Sequence, residues 1–374
     1  MPAHPSDIAG RASGPLDDLV VIDLTVARAG PTAVRYLADW GAHVIRIEPP
    51  AGSGGGLGDR ASADYLNLHR SKSLMELDLK DEGDRARLYE LTDAADIVVE
   101  NNRAPVKFRL GVDYETLSAR NPRLIYGSIS GYGQHGPYSE RGAVDQIIQG
   151  MGGLMSITGP PGAGPVRAGI AVSDLAAGHQ LAIGLLIAVH ERARSGKGQW
   201  VQVSLIEAML AFLDFQAARW TVDGEVPTTE GNHHPTVAPM GTYTAADGHL
   251  NVAAMGDRLF GRLCDLLGPR VRADDPRFAT SKQRYAHRDE LNDLLDSLFA
   301  EQPRAYWIEK LNEVGVPCGP VLAMDEVFAD PQVQHLGMLA HIDRPGAGSA
   351  NVLRNSITMS RSQSVPPRMP PQQA

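Results

Sequence analysis

Two cysteines in 374 residues, Cys264 and Cys318, are too few and too isolated for a disulfide framework or a paired metal or redox spacing. A reducing cytoplasm is therefore the expected location, and no metal site is expected. Positive charge is also short: 35 Lys and Arg face 44 Asp and Glu, a formal net charge of −9. Such a chain is not a general nucleic-acid binder, although a local basic pocket for a phosphorylated ligand remains open. No apolar run approaches the ~20 residues that cross a bilayer, so no membrane partner is expected. Residues 1–15 have neither a basic nor an apolar leader region, and no export signal is read there. What the chain does have is 43% hydrophobic residues, enough for a large core and more than one domain.

Leu19-Val-Val-Ile-Asp-Leu24 reads as a buried strand, followed by a helix from Pro31 to about Trp40 and a second strand, His43-Val-Ile-Arg-Ile-Glu48. The alternation continues with a helix over 80–93 and strands over 96–100 and 124–130. Strands separated by helices of this length imply an α/β fold with a parallel sheet covered on both faces. Two long helices are expected next, over 174–195 with Gly196 as the stop and over 204–220, with strand 200–203 between them. Asp174 reads as the N-cap of the first. Residues 1–222 form a large domain. Residues 223–320 form a smaller α+β domain, with a strand near 249–254 and helices near 257–267, 288–300 and 304–314. Residues 321–374 return to the large domain and end in a Pro- and Ser-rich tail, extended or disordered from Ser360.

Several motifs are missing. The turn Thr25-Val-Ala-Arg-Ala-Gly30 lacks the glycine spacing that brings backbone against a pyrophosphate, and no Gly-Lys-Ser/Thr closes the glycine-rich run 52–58, which reads as a surface or lid loop. His233 and His234 are adjacent rather than one helical turn apart. There is no Gly-x-Ser-x-Gly elbow. Cys318 reads as a packing residue at a turn.

A series of segments in order carries a resemblance. It runs from Ile22-Asp-Leu-Thr25 and Ala29-Gly-Pro31 through Leu77-Asp-Leu-Lys80, Val99-Glu-Asn101, Arg109-Leu-Gly111 and Ser128-Ile-Ser-Gly-Tyr-Gly133. It continues through Asp174, Gly196-Lys-Gly-Gln-Trp200 and Gly315-Val-Pro-Cys-Gly-Pro320. Together these resemble the class III CoA-transferases, the group that includes formyl-CoA and carnitine-CoA transferases and acyl-CoA racemases. The resemblance implies a Rossmann-like large domain, a smaller domain and two chains interlocked as a homodimer. It implies coenzyme A, carried as an acyl-CoA substrate, and a carboxylic acid as the other substrate. It places the nucleophile at Asp174 and contacts to CoA at Arg28, Ala29, Leu77, Lys80, Asn101, Asn102, Arg103, Arg109, Ser130 and Tyr132.

The departures are specific. Val144 stands where the racemase branch has a histidine, and it cannot exchange an α-proton, so transfer is expected over racemisation. The run of glycines that the formyl-CoA branch carries is missing between Gly231 and Gly256, which speaks against oxalate as acceptor. Arg28 replaces a glutamine, and its guanidinium suits either a second carboxylate or a phosphate. Asn102, Ala104 and Pro105 alter the segment that holds adenine. The sequence ends at Ala374 short of the family's Leu-Gly-Glu-His segment, which would loosen a dimer. A non-catalytic CoA-ester-binding protein is the alternative reading.

Overall fold

A computed structural model describes residues 13–50, 60–344 and 348–370. The glycine-rich run 52–58 lies outside the described residues. The chain divides into two compact units. One takes Met1–Leu154, Arg167–Val226 and Leu336–Ala374, and the other takes Met155–Val166 and Pro227–His335. The division differs from the boundaries read at 222 and 320. Residues 155–166 join the second unit, where the Gly231 N–H donates to the Gly159 carbonyl at 3.1 Å. Residues 321–335 stay there too, because a helix, Met324–Ala329, follows the third strand of its sheet.

The first unit is built on six strands: β1 (Val20–Asp23), β2 (His43–Glu48), β3 (Ser73–Glu76), β4 (Ile97–Glu100), β5 (Ile125–Ser130) and β6 (Trp200–Ser204). Their order is β3-β2-β1-β4-β5-β6, and every pairing is parallel, with Val21 opposite both Val44 and Ile97. Helices α1 (Ala29–Asp39), α2 (Ala63–His69), α3 (Glu82–Asp93), α4 (Ala104–Leu110) and α5 (Tyr114–Arg120) connect the first five strands. Then come α6 (Asp145–Met151), α7 (Val172–Ser195), α8 (Leu205–Phe212) and α9 (Phe215–Thr221).

Alternate residues of each strand face opposite sides. Val21, Ile97 and Val99 pack with Val34 and Leu37 of α1 and Leu181 and Leu185 of α7. Val20, Ile22 and Val98 pack with Leu88 and Leu91 of α3 and Leu117 of α5. Two close approaches fix α7. At Gly127 a Cβ would sit 3.0 Å from a Leu185 methyl, and at Gly178 it would sit 2.7 Å from the Ala29 carbonyl oxygen. Glycine at these positions lets α7 lie against both the sheet and α1.

Four details differ from the sequence reading. Helix α1 begins at Ala29, so Pro31 occupies its third position, still within the turn whose N–H groups have no intrahelical partner. Helix α7 begins at Val172, which places Asp174 inside the first turn rather than at the cap. The helix expected over 204–220 is two, broken where Asp214 takes φ 45°. By length and composition α7 is also apolar enough to cross a bilayer, which the search for uninterrupted apolar runs missed. Its Leu181, Leu185 and Ala188 are buried, while Ile183 and Ile187 are exposed.

The second unit has an antiparallel sheet of β7 (Met240–Ala245), β8 (Gly248–Ala253) and β9 (Cys318–Pro320), in that order. Helices α10 (Gly256–Leu267), α11 (Ser281–Ala286), α12 (Arg288–Phe299) and α13 (Arg304–Glu313) accompany it, and Phe260, Leu263, Leu295, Phe299 and Trp307 form its core with Leu250 and Val252. Cys318 thus opens an edge strand rather than a turn. In the first unit, β10 (Leu339–Arg344) and β11 (Gly348–Leu353) form an antiparallel hairpin. Residues 361–370 have no regular structure but are tied down: Val365 N–H donates to Asp39 O, and Ser71 N–H donates to Arg368 O, both at 2.8 Å.

Candidate active site

In a sheet of this order the chain leaves β1 toward one side and β4 toward the other, so the loops after these two strands diverge and leave a crevice at their C-terminal ends. The residues after β1 are held from below. Asp23, fully buried, accepts from Thr25 N–H at 3.0 Å and from its hydroxyl. Lys72 Nζ donates to Asp23 at 2.9 Å and to the Pro31 carbonyl at 3.3 Å, and Arg46 donates to the Thr25 carbonyl at 3.0 Å. Burial alone would raise the Asp23 pKa, but Lys72 and Arg46 outweigh it and hold the carboxyl below the usual range. Across the crevice, the Asn101 side chain donates to Val26 O and accepts from Val26 N–H, both at 2.8 Å. This pair locks the loops after β1 and β4 together.

The other wall rests on a buried lysine. Lys107 Nζ donates to Gln134 Oε1 at 2.6 Å and Glu100 Oε1 at 3.4 Å, and lies 4.8 Å from the Trp200 ring centroid. An ammonium can only donate, so the Gln134 amide is fixed with its oxygen toward Lys107. Its Nε2 is buried and makes no hydrogen bond among the described residues. Glu100 Oε2 accepts from Asn102 N–H at 2.7 Å, and Ser130 Oγ from Gly133 N–H at 3.0 Å.

Asp174 reaches this crevice from the first turn of α7. The task of satisfying that helix start falls to buried Asp145, whose Oδ1 accepts from both Ser173 N–H and Oγ at 2.9 Å. Gln149 donates to the other oxygen at 2.7 Å. Asp174 is left half-buried, and no described group hydrogen-bonds its carboxylate. Burial and the neighbouring Asp145 push its pKa up to about 6, against the pull of Arg28. The result is a carboxylate that is ionised at neutral pH, poorly solvated and unpaired.

A cavity of ≈ 250 Å³ lies against it. Seven of the residues expected at the site line this space together: Asp174 with Arg28, Ala29, Asn101, Asn102, Arg103 and Ser130. Four others stand off its wall. Leu77 is buried in the core beneath the sheet, Lys80 is exposed on the turn before α3, and Arg109 is exposed on α4. Tyr132 donates its hydroxyl to Met151 Sδ at 3.2 Å. Arg28 donates to both Asp64 oxygens at 2.9 Å. Val144, exposed, is on the wall. Arg141 was not foreseen. It lies 3.7 Å over the Tyr138 ring and lines the cavity, but nothing in its sequence neighbourhood distinguishes it from a surface arginine. Among the described residues no cluster of His, Cys, Asp or Glu is placed to hold a metal ion.

The profile of CoA-transferase family III matches residues 16–373. An acetyl-CoA:oxalate CoA-transferase of Acetobacter aceti is 40% identical over 338 residues, covering 88% of this chain and 86% of that one. A succinate–glutarate CoA-transferase of Agrobacterium fabrum is 36% identical over 93% of this chain and 90% of its own. The crystal structure of a CAIB/BAIF family protein from Brucella suis superposes with a TM-score of 0.84 at 36% identity, covering 96% and 97% of the two chains.

Proposed function

This chain belongs to CoA-transferase family III and acts as an acyl-CoA:carboxylate CoA-transferase, and we propose that it works by covalent relay through Asp174. The Asp174 carboxylate attacks the thioester carbonyl, and the tetrahedral intermediate collapses to a mixed anhydride as CoA thiolate leaves. The thiolate then attacks the aspartyl carbonyl and expels the first acid as its carboxylate, leaving an aspartyl-CoA thioester. The acceptor carboxylate attacks that thioester and releases thiolate, which takes the new acyl group from the anhydride and restores Asp174. Charge is conserved at each step, no proton is needed, and one difficult exchange becomes several reversible ones.

The observation that carries this reading is the state of Asp174, a half-buried carboxylate at a cavity wall with no hydrogen-bond donor on it among the described residues. A carboxylate serving only as a helix cap would be engaged with backbone N–H groups, and here Asp145 has that role. The N–H groups of Ala29 and Gly30, in the unsatisfied first turn of α1, suit the developing oxyanions. Val144 offers no base or acid for racemisation. Acyl-CoA plus hydroxylamine should leave a hydroxamate on Asp174, read by peptide mass. Recovery of unmodified Asp174 alongside normal turnover would reject the relay.

The relatives' names point to dicarboxylic acids as substrates, and the one named for oxalate returns that acid to the candidates despite the missing glycine run. The working form is a homodimer. Its support is the amount of apolar surface left open: Ile183 and Ile187 on α7, Leu210 and Phe212 on α8, and Phe215 and Trp220 on α9 are each more than two-fifths exposed.

A further inference from the structure

A second and larger cavity, ≈ 650 Å³, lies in the same unit. Arg28, Arg35, Arg70, Arg167 and Arg354 stand on its wall, and among the described residues Asp39 is the one carboxylate there. In a chain of net charge −9 this is a marked local excess of positive charge.

Part of that charge is neutralised. Both Asp39 oxygens are taken by Arg70, at 3.0 and 2.7 Å. Arg28 is turned to Asp64. Arg354 donates to the carbonyls of Gly337, Asn355 and Leu336, which engages three of its five N–H groups but cancels no charge. Arg167 reaches Asp145 only at 3.4 Å. Arg35 donates to Asn67 Oδ1 at 3.1 Å, while its Nε is buried with no hydrogen-bond partner among the described residues. Burial, with Arg70 nearby, holds the Arg35 pKa below its ordinary value. A buried donor left unpaired is destabilising, and an entering anion would remove that penalty.

The cavity adjoins the reacting centre. Ala171 and Leu175, three residues before Asp174 and one after it, lie on its wall, and Arg28 lines both spaces. We propose that this cavity receives the far carboxylate of a dicarboxylic acid whose near carboxyl group reacts at Asp174, and that Arg35 and Arg167 select diacids over monoacids. The proposal rests on Asp174 being the nucleophile. A planar guanidinium matches a carboxylate with two parallel bonds, and a monoacid of equal length would leave Arg35 without an anion and Arg167 with only Asp145 at 3.4 Å.

The test compares glutarate with pentanoate as acceptors from one acyl-CoA donor, in wild type, Arg35→Met, Arg167→Met and Arg35→Lys, with melting temperatures measured alongside. The expected result is a fall of at least tenfold in the ratio of kcat/KM for glutarate to that for pentanoate in each Met variant. The fall should act through KM for the diacid, and Arg35→Lys should be intermediate. An unchanged ratio, or equal loss for both acids, overturns the proposal. Calorimetry of glutarate with the Asp174→Asn protein separates the two readings. Binding there that disappears in Asp174→Asn/Arg35→Met upholds the cavity even if hydroxylamine fails to trap Asp174, whereas equal heats in the two proteins overturn it.

Discussion

Asp174 holds its proton more tightly in the folded chain, with a pKa of about 6 against 3.8 for an unperturbed aspartate. Folding therefore takes up a proton between these values, and stability falls as pH rises through that window, levelling above about 6. The ionised carboxylate costs up to about 3 kcal/mol at neutral pH, less whatever solvent screens. Asp174→Asn should thus melt higher than wild type at pH 7.5, with the gain vanishing near pH 4, while transferase activity falls by several orders of magnitude. In wild type kcat/KM should decline below pH 6. Asp145→Asn keeps the acceptor oxygen for Ser173 but removes the repulsion, so its acid limb should move to lower pH. A limb that stays in place would assign it to another group. Gln134 is a second residue of this kind. Gln134→Leu should raise KM for acyl-CoA about tenfold with a smaller change in kcat, because the orphaned Nε2 is the donor left for the ester. Equal KM values would leave Gln134 as a brace for Lys107. Neither Gln134 nor Arg141 was readable in advance, since the orientation of Gln134 depends on Lys107, 27 residues away.

Among the elements, the buried strands were the most legible. β1 and β4 are short, mostly β-branched runs ending on a carboxylate, and burial on both faces demands that composition. The three residues of β9 and the hairpin β10–β11 carry too little alternation to stand out. The break at Asp214 has no Gly or Pro to announce it. The α1–α7 contact is where element geometry meets chemistry. Gly178→Ala would place a methyl group 2.7 Å from the Ala29 carbonyl oxygen and 2.9 Å from Thr32 carbons. It should cost about 1–3 kcal/mol in urea denaturation, and about ten- to a hundredfold in kcat/KM as the start of α1 moves from Asp174. Native activity in this variant would mean that the two helix starts act independently. The ion cluster under the β1 loop has its own signature. Lys72→Met strands Asp23 without its nearest cation and should destabilise by about 3–5 kcal/mol. A smaller loss by chemical denaturation would show that Arg46 suffices.

For the molecule as a whole, the parallel sheet followed from the alternation of strands and helices, whereas the strand order that opens the crevice and the unit boundaries did not, because an excursion such as 155–166 leaves no compositional trace. Arg109 and Lys80 stand exposed beyond the cavity, where the phosphates of a long cofactor could extend. Arg109→Ala should weaken binding of a CoA ester, more at low salt than at high, as measured by calorimetry. Equal affinities would remove Arg109 from the site. A particle of about twice 40.1 kDa by light scattering is expected, and a monomer at micromolar concentration would refute the dimer. The ties made by residues 336–370 reach further than assembly. Asn355 bonds Asp39 across 316 positions, and Arg368 bonds Ser71 across 297. During synthesis, then, the first unit receives these ties only after the residues of the second unit, up to 335, have been translated. Those few contacts close last, whereas the Val26–Asn101 pair that joins the crevice loops lies wholly within the first 101 residues.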